Sequence, residues 1–229
     1  MTRLLAGSDL TQAELTVVGA DSWFVALTEQ QQMQLLQQGK RRQLAPQQQL
    51  FARGDAFCGI YVVLRGQLLI SGLHQSGQQA LLTLITPGQW LGEIALFDQM
   101  PRTHDAVALL ETELWQIPKT ALQLLVRIDP QWWQAFGQLL TGKLRQVFIE
   151  LEDRAVLSAE QRLARRLCLL SQQQSKIPLQ QEQLGQLLSL SRQTTNQLLR
   201  QLVAAGLIQT RYGGIDVINR PALLELAQR

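Results

Sequence analysis

QEQLGQLLSLSRQTTNQLLRQL, residues 181–202, is the stretch whose reading decides the fold. Two short amphipathic segments, Gln180–Leu188 and Arg192–Ala205, flank a tight Ser189-Leu190-Ser191 turn, which is helix-turn-helix spacing. Leu184, Leu187 and Leu188 give the first segment a buried face, and Gly185 lets the second approach closely. Ser191 is placed to cap the second helix through its hydroxyl. On that helix Thr195, Leu198, Leu199 and Leu202 recur at i, i+3, i+4 and i+7 and face the core. Its opposite face carries Arg192, Gln193, Asn196, Gln197 and Arg200, without a carboxylate. Arginine grips a guanine edge bidentately, and Gln or Asn grips adenine. An ordinary helical pair with a solvated polar face would show the same periodicity. The missing acid favours a DNA reader. Arg192, Gln193, Asn196 and Gln197 are expected at base edges, with Ser191, Thr194 and Arg200 nearer the phosphates.

Outward from there, Gly206 ends the helix, and Leu207–Arg211, Gly213-Gly214 and Ile215–Ile218 form a hairpin placed like a wing. Pro221–Gln228 reads as a terminal helix. Upstream, Ser158-Ala159-Glu160 opens a helix over Arg162–Leu170, and Ser175–Pro178 is a break. Asp129-Pro130 opens a long helix in which Trp133, Phe136, Leu140, Leu144, Val147 and Leu151 recur at spacings of three and four. About 25 residues at 1.5 Å each make nearly 40 Å, and so long an apolar stripe suits pairing with a second copy. Between Lys40 and Gln116 the pattern is short apolar runs with turn residues between them. Leu50–Phe51, Ile60–Leu64, Gln67–Ile70, Leu81–Ile85 and Leu114–Ile117 are strand candidates. Such spacing indicates a β-roll. Residues 22–39 read as one helix, capped by Asp21 or Ser22 and ended by Gly39.

At 229 residues the chain has room for two modest domains, and 46% hydrophobic with 17% charged residues is globular composition. Residues 154–229 hold 10 Lys and Arg against 4 Asp and Glu, net +6; residues 1–153 hold 11 against 14, net −3. A basic C-terminal third on a mildly acidic body points to a polyanionic partner. Apolar runs such as Ala80–Ile85 are too short for a bilayer, and Met1–Leu10 lacks a signal-peptide pattern, so a cytoplasmic location without membrane contact is expected. Cys58 and Cys168 are isolated, which excludes an iron–sulfur cluster and a cysteine metal site. His74 and His104 are the only histidines; His74 reads as a solvated loop residue. No nucleophile–base pair is evident, so no enzyme is expected. The glutamine tracts Gln30–Gln32, Gln47–Gln49 and Gln172–Gln174 read as solvent-facing.

The Ser-Arg-Gln-Thr-Thr-Asn-Gln-Leu-Leu-Arg core, residues 191–200, resembles the recognition motif of the Crp/Fnr family of transcription regulators. Ser189 stands where family members often have glycine, and Gln193 where a glutamate often reads cytosine. Phe51–Asp55, Ile60–Gly66, Pro87–Phe97 and Pro101-Arg102 are similar to that family's cyclic-nucleotide-binding roll. The resemblance implies that Gly92, Glu93, Arg102 and Thr103 bind an effector: the glutamate takes a ribose hydroxyl, while the arginine and backbone amides take a phosphate. His104 and Asp105 depart from the small residues usual there, and Val147 and Phe148 replace a hydroxyl pair that bonds adenine in cAMP-responsive members. The effector is left open: a cyclic nucleotide, another small molecule, or none with Glu93 salt-bridged to Arg102.

The expected architecture is α+β. A jelly-roll-like sensor β-roll spans 1–128, a dimerisation helix 129–156 and a winged helix-turn-helix 157–229. The resemblance implies a homodimer controlling promoters, with RNA polymerase as a partner. The alternative is a cyclic-nucleotide-binding module acting on a protein partner, which would need neither the polar face of residues 192–200 nor the wing.

Overall fold

The computed structural model describes residues 9–73, 77, 79–172 and 175–228. His74, Gln173 and Gln174 lie outside them. The chain divides into two compact units, residues 1–77 with 83–145 and residues 78–82 with 146–229.

Two four-stranded antiparallel sheets form a roll whose strand residues, 79–82 excepted, belong to the first unit. One has the order β1 (Lys40–Leu44), β8 (Thr112–Pro118), β3 (Gly59–Arg65), β6 (Trp90–Leu91). The other has β2 (Gln49–Phe51), β7 (Asp105–Ala108), β4 (Leu68–Leu73), β5 (Gln79–Ile85). All five strand candidates fall in this roll. Strand β3 shows why Ile60–Leu64 is unbroken apolar sequence: both of its faces are covered. Tyr61 and Val63 point into the space between the sheets with Phe51, Leu68, Leu91 and Leu114. Ile60, Val62 and Leu64 point outward, where Trp23, Phe24, Leu35, Trp90, Trp115, Trp132 and Phe136 form the larger core. Side chains alternate along a strand, so each face serves a different cluster.

The helix expected over 22–39 is two helices, α2 (Ser22–Ala26) and α3 (Glu29–Gln37). Leu27 turns extended at ψ 146°, and Thr28 with Gln31 closes a capping box. The buried Gln32 amide donates to the carbonyls of Phe24 and Leu27 and so ties the two sides of the break together. Asp21 caps α2 as expected. Three further helices went unanticipated: α1 (Gln12–Val18), α4 (Ile94–Asp98) and α5 (Lys119–Ile128).

The long helix is α6, Gln131–Val156, with Asp129 accepting from the Gln131 amide. Its stripe divides. Trp132, Ala135, Phe136 and Leu139 are buried in the core, whereas Leu144, Val147, Phe148 and Leu151 stand 51–56% exposed. Trp133, assigned to the stripe, is 41% exposed and packs on Phe97.

In the second unit, α7 (Ala159–Leu170) is capped by Ser158, whose box partner is Gln161. The expected break at Ser175–Pro178 contains a short strand, β9 (Lys176–Ile177). It pairs with β11 (Gly214–Val217), which pairs with β10 (Ile208–Arg211), so the hairpin is a three-stranded sheet. Helices α8 (Gln181–Leu188), α9 (Arg192–Ala204) and α10 (Arg220–Gln228) complete the unit. Among the described residues no helix is long and apolar enough to cross a membrane.

Candidate nucleic-acid interface and sensor site

Helices α8 and α9 meet at a corner held by three local devices. Ser189 adopts the left-handed conformation, φ 54° and ψ 41°, and its amide reaches the Gln186 carbonyl. Ser191 accepts from the Thr194 amide at 3.1 Å, and the two hydroxyls bond at 2.8 Å. Thr195, buried, donates to the Ser191 carbonyl at 2.9 Å. A Cβ on Gly185 would lie 2.7 Å from the Thr195 hydroxyl oxygen, so only glycine permits this separation of the helices. Leu199 and Leu202 are buried beside Thr195, while Leu198 is half-buried.

This anchoring leaves the opposite face outward. Arg192, Gln193, Gln197 and Arg200 are exposed, and Thr194 and Asn196 are half-buried. Arg192, Gln193, Asn196 and Gln197 lie on the first two turns of α9, and Ser191 and Thr194 sit at its mouth. On the wing Tyr212 is fully exposed, but Arg211 is engaged: its Nε lies 2.5 Å from Asp216. Sequence reasoning missed that pair.

In the roll, Arg102 is 4% exposed and turned inward. It donates to the carbonyls of Gly92 at 2.9 Å and Gly59 at 2.6 Å. Its guanidinium lies 4.3 Å from the Phe51 ring centre and 5.0 Å from that of Phe57. Gly92 has φ 97°, and a Cβ there would approach the Arg102 guanidinium to 2.8 Å. The loop between β6 and α4 is therefore built around this arginine. The Arg102 Nε is buried without an acceptor. An orphaned guanidinium N–H beside a glycine cradle fits the phosphate end of a cyclic nucleotide.

Glu93, 3% exposed, does not pair with Arg102. Its partner is Lys143 of α6, at 3.1 Å, and that ammonium also donates to the Trp90 carbonyl. A lysine 50 residues away satisfies the carboxylate that the expected salt bridge gave to Arg102. Nothing in the sequence pattern marked Lys143. Burial pushes the Asp21 carboxyl up, opposed by its own backbone hydrogen bonds and by Lys143.

Thr103 is exposed, its hydroxyl 2.9 Å from His104 Nδ1. Burial, with Arg53 adding and Asp105 opposing, holds the His104 imidazole below its ordinary range. Asp105 accepts from the Arg53 amide at 2.8 Å. Cys58 places its thiol 3.0 Å from the Tyr61 hydroxyl and 3.5 Å from Arg102. Burial and the Cys58 contact push the Tyr61 hydroxyl up. Among the described residues no group of three His, Cys, Asp or Glu is arranged to hold a metal.

Residues 41–129 match the family model of the cyclic nucleotide-binding domain, and residues 161–226 that of the Crp-like helix-turn-helix domain. The chain is 30% identical over 190 residues to the cyclic AMP receptor protein of Thermus thermophilus, covering 82% of this chain and 88% of that protein. It is 27% identical over 169 residues to a CRP-like cAMP-activated global transcriptional regulator of Mycobacterium tuberculosis, covering 70% and 75%. A solved structure of a CRP/FNR-family transcriptional regulator from Thermus thermophilus superposes with TM-score 0.69 at 22% identity, over 83% of this chain and 99% of that one.

Proposed function

The chain belongs to the Crp/Fnr family of transcription regulators, and on that premise we propose that it works as a homodimer whose α9 helices read an operator sequence. The observation that carries this is the outward, acid-free face Arg192, Gln193, Asn196, Gln197 on a helix anchored by Ser191, Thr195 and Gly185. Arg200 and the Ser191–Thr194 pair are assigned to phosphates, as their position past or before the reading turns suggests. The exposed stripe Leu144, Val147, Phe148, Leu151 supports pairing of two α6 helices. The domain division we adopt is sensor roll 1–128, dimerisation helix 129–156 and winged helix-turn-helix 157–229. RNA polymerase is the proposed partner at the promoter, in the cytoplasm, and no catalytic role is assigned.

The roll is proposed as the sensor, with Gly92, Glu93, Arg102 and Thr103 as its effector-binding residues. The orphaned Nε of Arg102 supports an effector that carries a phosphate. Cyclic AMP is the first to test, because a relative is named for it. Val147 and Phe148 offer no hydroxyl to an adenine, which favours a different base or a weaker ligand.

Selection of bound duplexes from a random pool tests the reader. The parent should recover an inverted repeat with half-sites about one helical turn apart. Arg192→Ala should lose roughly 1–3 kcal/mol and relax choice at one base pair. Arg200→Ala should weaken binding to all sequences and flatten the salt dependence by about one unit. An unchanged sequence and affinity for Arg192→Ala would sink the assignment of α9.

A further inference from the structure

Apart from the recognition face, the unit of residues 78–82 and 146–229 carries a charged cleft where the second half of α6, α7 and the end of α8 meet. Four guanidinium groups line it: Arg154 from α6 and Arg162, Arg165 and Arg166 from α7. Two carboxylates answer them. Asp153 pairs with Arg165 at 2.9 Å, and Glu150 with Arg166 at 3.1 Å. Among the described residues neither Arg154 nor Arg162 has a carboxylate within ion-pair distance, so the cleft keeps two positive charges. The Nε of Arg162 is buried and meets no acceptor. Leu187 and Leu188 line the other side, and the cavity is about 50 Å³, several times what one water needs.

We propose that this cleft binds a phosphate-bearing anion, either inorganic phosphate or the terminal group of a phosphomonoester, gripped by Arg154 and Arg162. A phosphomonoester carries a charge near −2 at neutral pH, which balances the two uncompensated guanidiniums. Its tetrahedral oxygens suit the forked donors of arginine, and the buried Nε of Arg162 gains the acceptor it lacks. The anion would draw α6 and α7 onto one ligand beside Leu187 and Leu188, the residues that lead into the Ser189 corner. It is a second ligand site, distinct in residues from the one assigned to Arg102.

The test titrates the full-length protein with inorganic phosphate, ionic strength held constant by chloride. It follows the melting temperature and the phosphorus NMR line width. A second arm uses AMP. A saturable rise in melting temperature with line broadening is expected. Arg162→Gln and Arg154→Gln should each weaken it roughly tenfold or more. Arg65→Gln, a surface change on the roll, should leave it as it was. A response to AMP but not to inorganic phosphate, weakened in both variants, supports the site and names the phosphomonoester as its ligand; an AMP response unchanged in both belongs to the roll and overturns the proposal. No saturable response to either overturns the proposal, as does parental affinity in both variants. Should both variants instead lose affinity for every duplex while phosphate and AMP leave the melting temperature flat, the anion is the DNA backbone, and the proposal also fails.

Discussion

At Gly185 a single missing methyl group sets the spacing of two helices. An alanine Cβ there would sit 2.7 Å from the Thr195 hydroxyl oxygen, which is fixed by its bond to the Ser191 carbonyl, and 3.3 Å from the Leu190 carbonyl. Gly185→Ala should lower stability by about 1–3 kcal/mol, as overpacking typically does. A urea titration within about 0.5 kcal/mol of the parent would show that the helices can part cheaply. This glycine was legible, because a tight helical corner demands one. The Arg211–Asp216 pair was not. Its partners are diagonal across the hairpin, where register puts Gln209 opposite Asp216 and Arg211 opposite Gly214. Asp216 therefore offsets charge on the wing arginine, which the proposed reading places near the DNA backbone. Asp216→Asn should raise affinity for all sequences alike and steepen the salt dependence by about one unit, measured by binding isotherms over a salt series.

Among the elements, α6 exposes the most to test. Its first half spends its apolar side chains on the roll, and Leu144, Val147, Phe148 and Leu151 of its second half are left to solvent in one chain. Replacing Leu144 and Val147 with glutamate should give monomers in sedimentation and abolish operator binding. A variant still dimeric with parental DNA affinity would move the interface elsewhere. Element legibility followed burial only in part. Five strands announced themselves, whereas β6 and β7, short strands that bury Trp90, Leu91, Ala106 and Ala108, did not. Lys40–Leu44, an exposed edge strand of sequence KRRQL, gave no period-two signal. The Leu27 break went unseen because the apolar residues of 22–39 keep helical spacing across it, although Thr28 and Gln31 already spelled a capping box. The short α4 had too few residues for a period to show.

For the molecule as a whole, the charge asymmetry and the two motif regions made its plan readable, whereas contacts between distant residues stayed hidden. Arg41 joins Glu14 of α1 at 2.6 Å and Glu113 of β8 at 2.7 Å. The Arg41 guanidinium holds the Glu14 carboxyl down at about 2, against burial, which raises it. A carboxyl depressed in the folded state binds its proton later than in the unfolded chain. Its contribution is therefore whole above pH 4.5 and drains away between there and about 2. Glu14→Gln should flatten the loss of stability between pH 5 and pH 3, read by urea unfolding at each pH. Equal slopes for variant and parent would refute the coupling. Lys143 has a different kind of consequence. Its ammonium lies on Glu93 and on the Trp90 carbonyl, so under the proposed sensor role a ligand hydroxyl that displaces it from Glu93 meets a tethered rival. Observed affinity is then intrinsic affinity scaled by the fraction of molecules in which the lysine has let go. If that fraction is roughly one in a hundred, half-occupancy needs a hundredfold more ligand. Under the proposed sensor role, residue 143 would thereby be a dial on the concentration at which the roll responds, adjustable without altering a strand of the pocket.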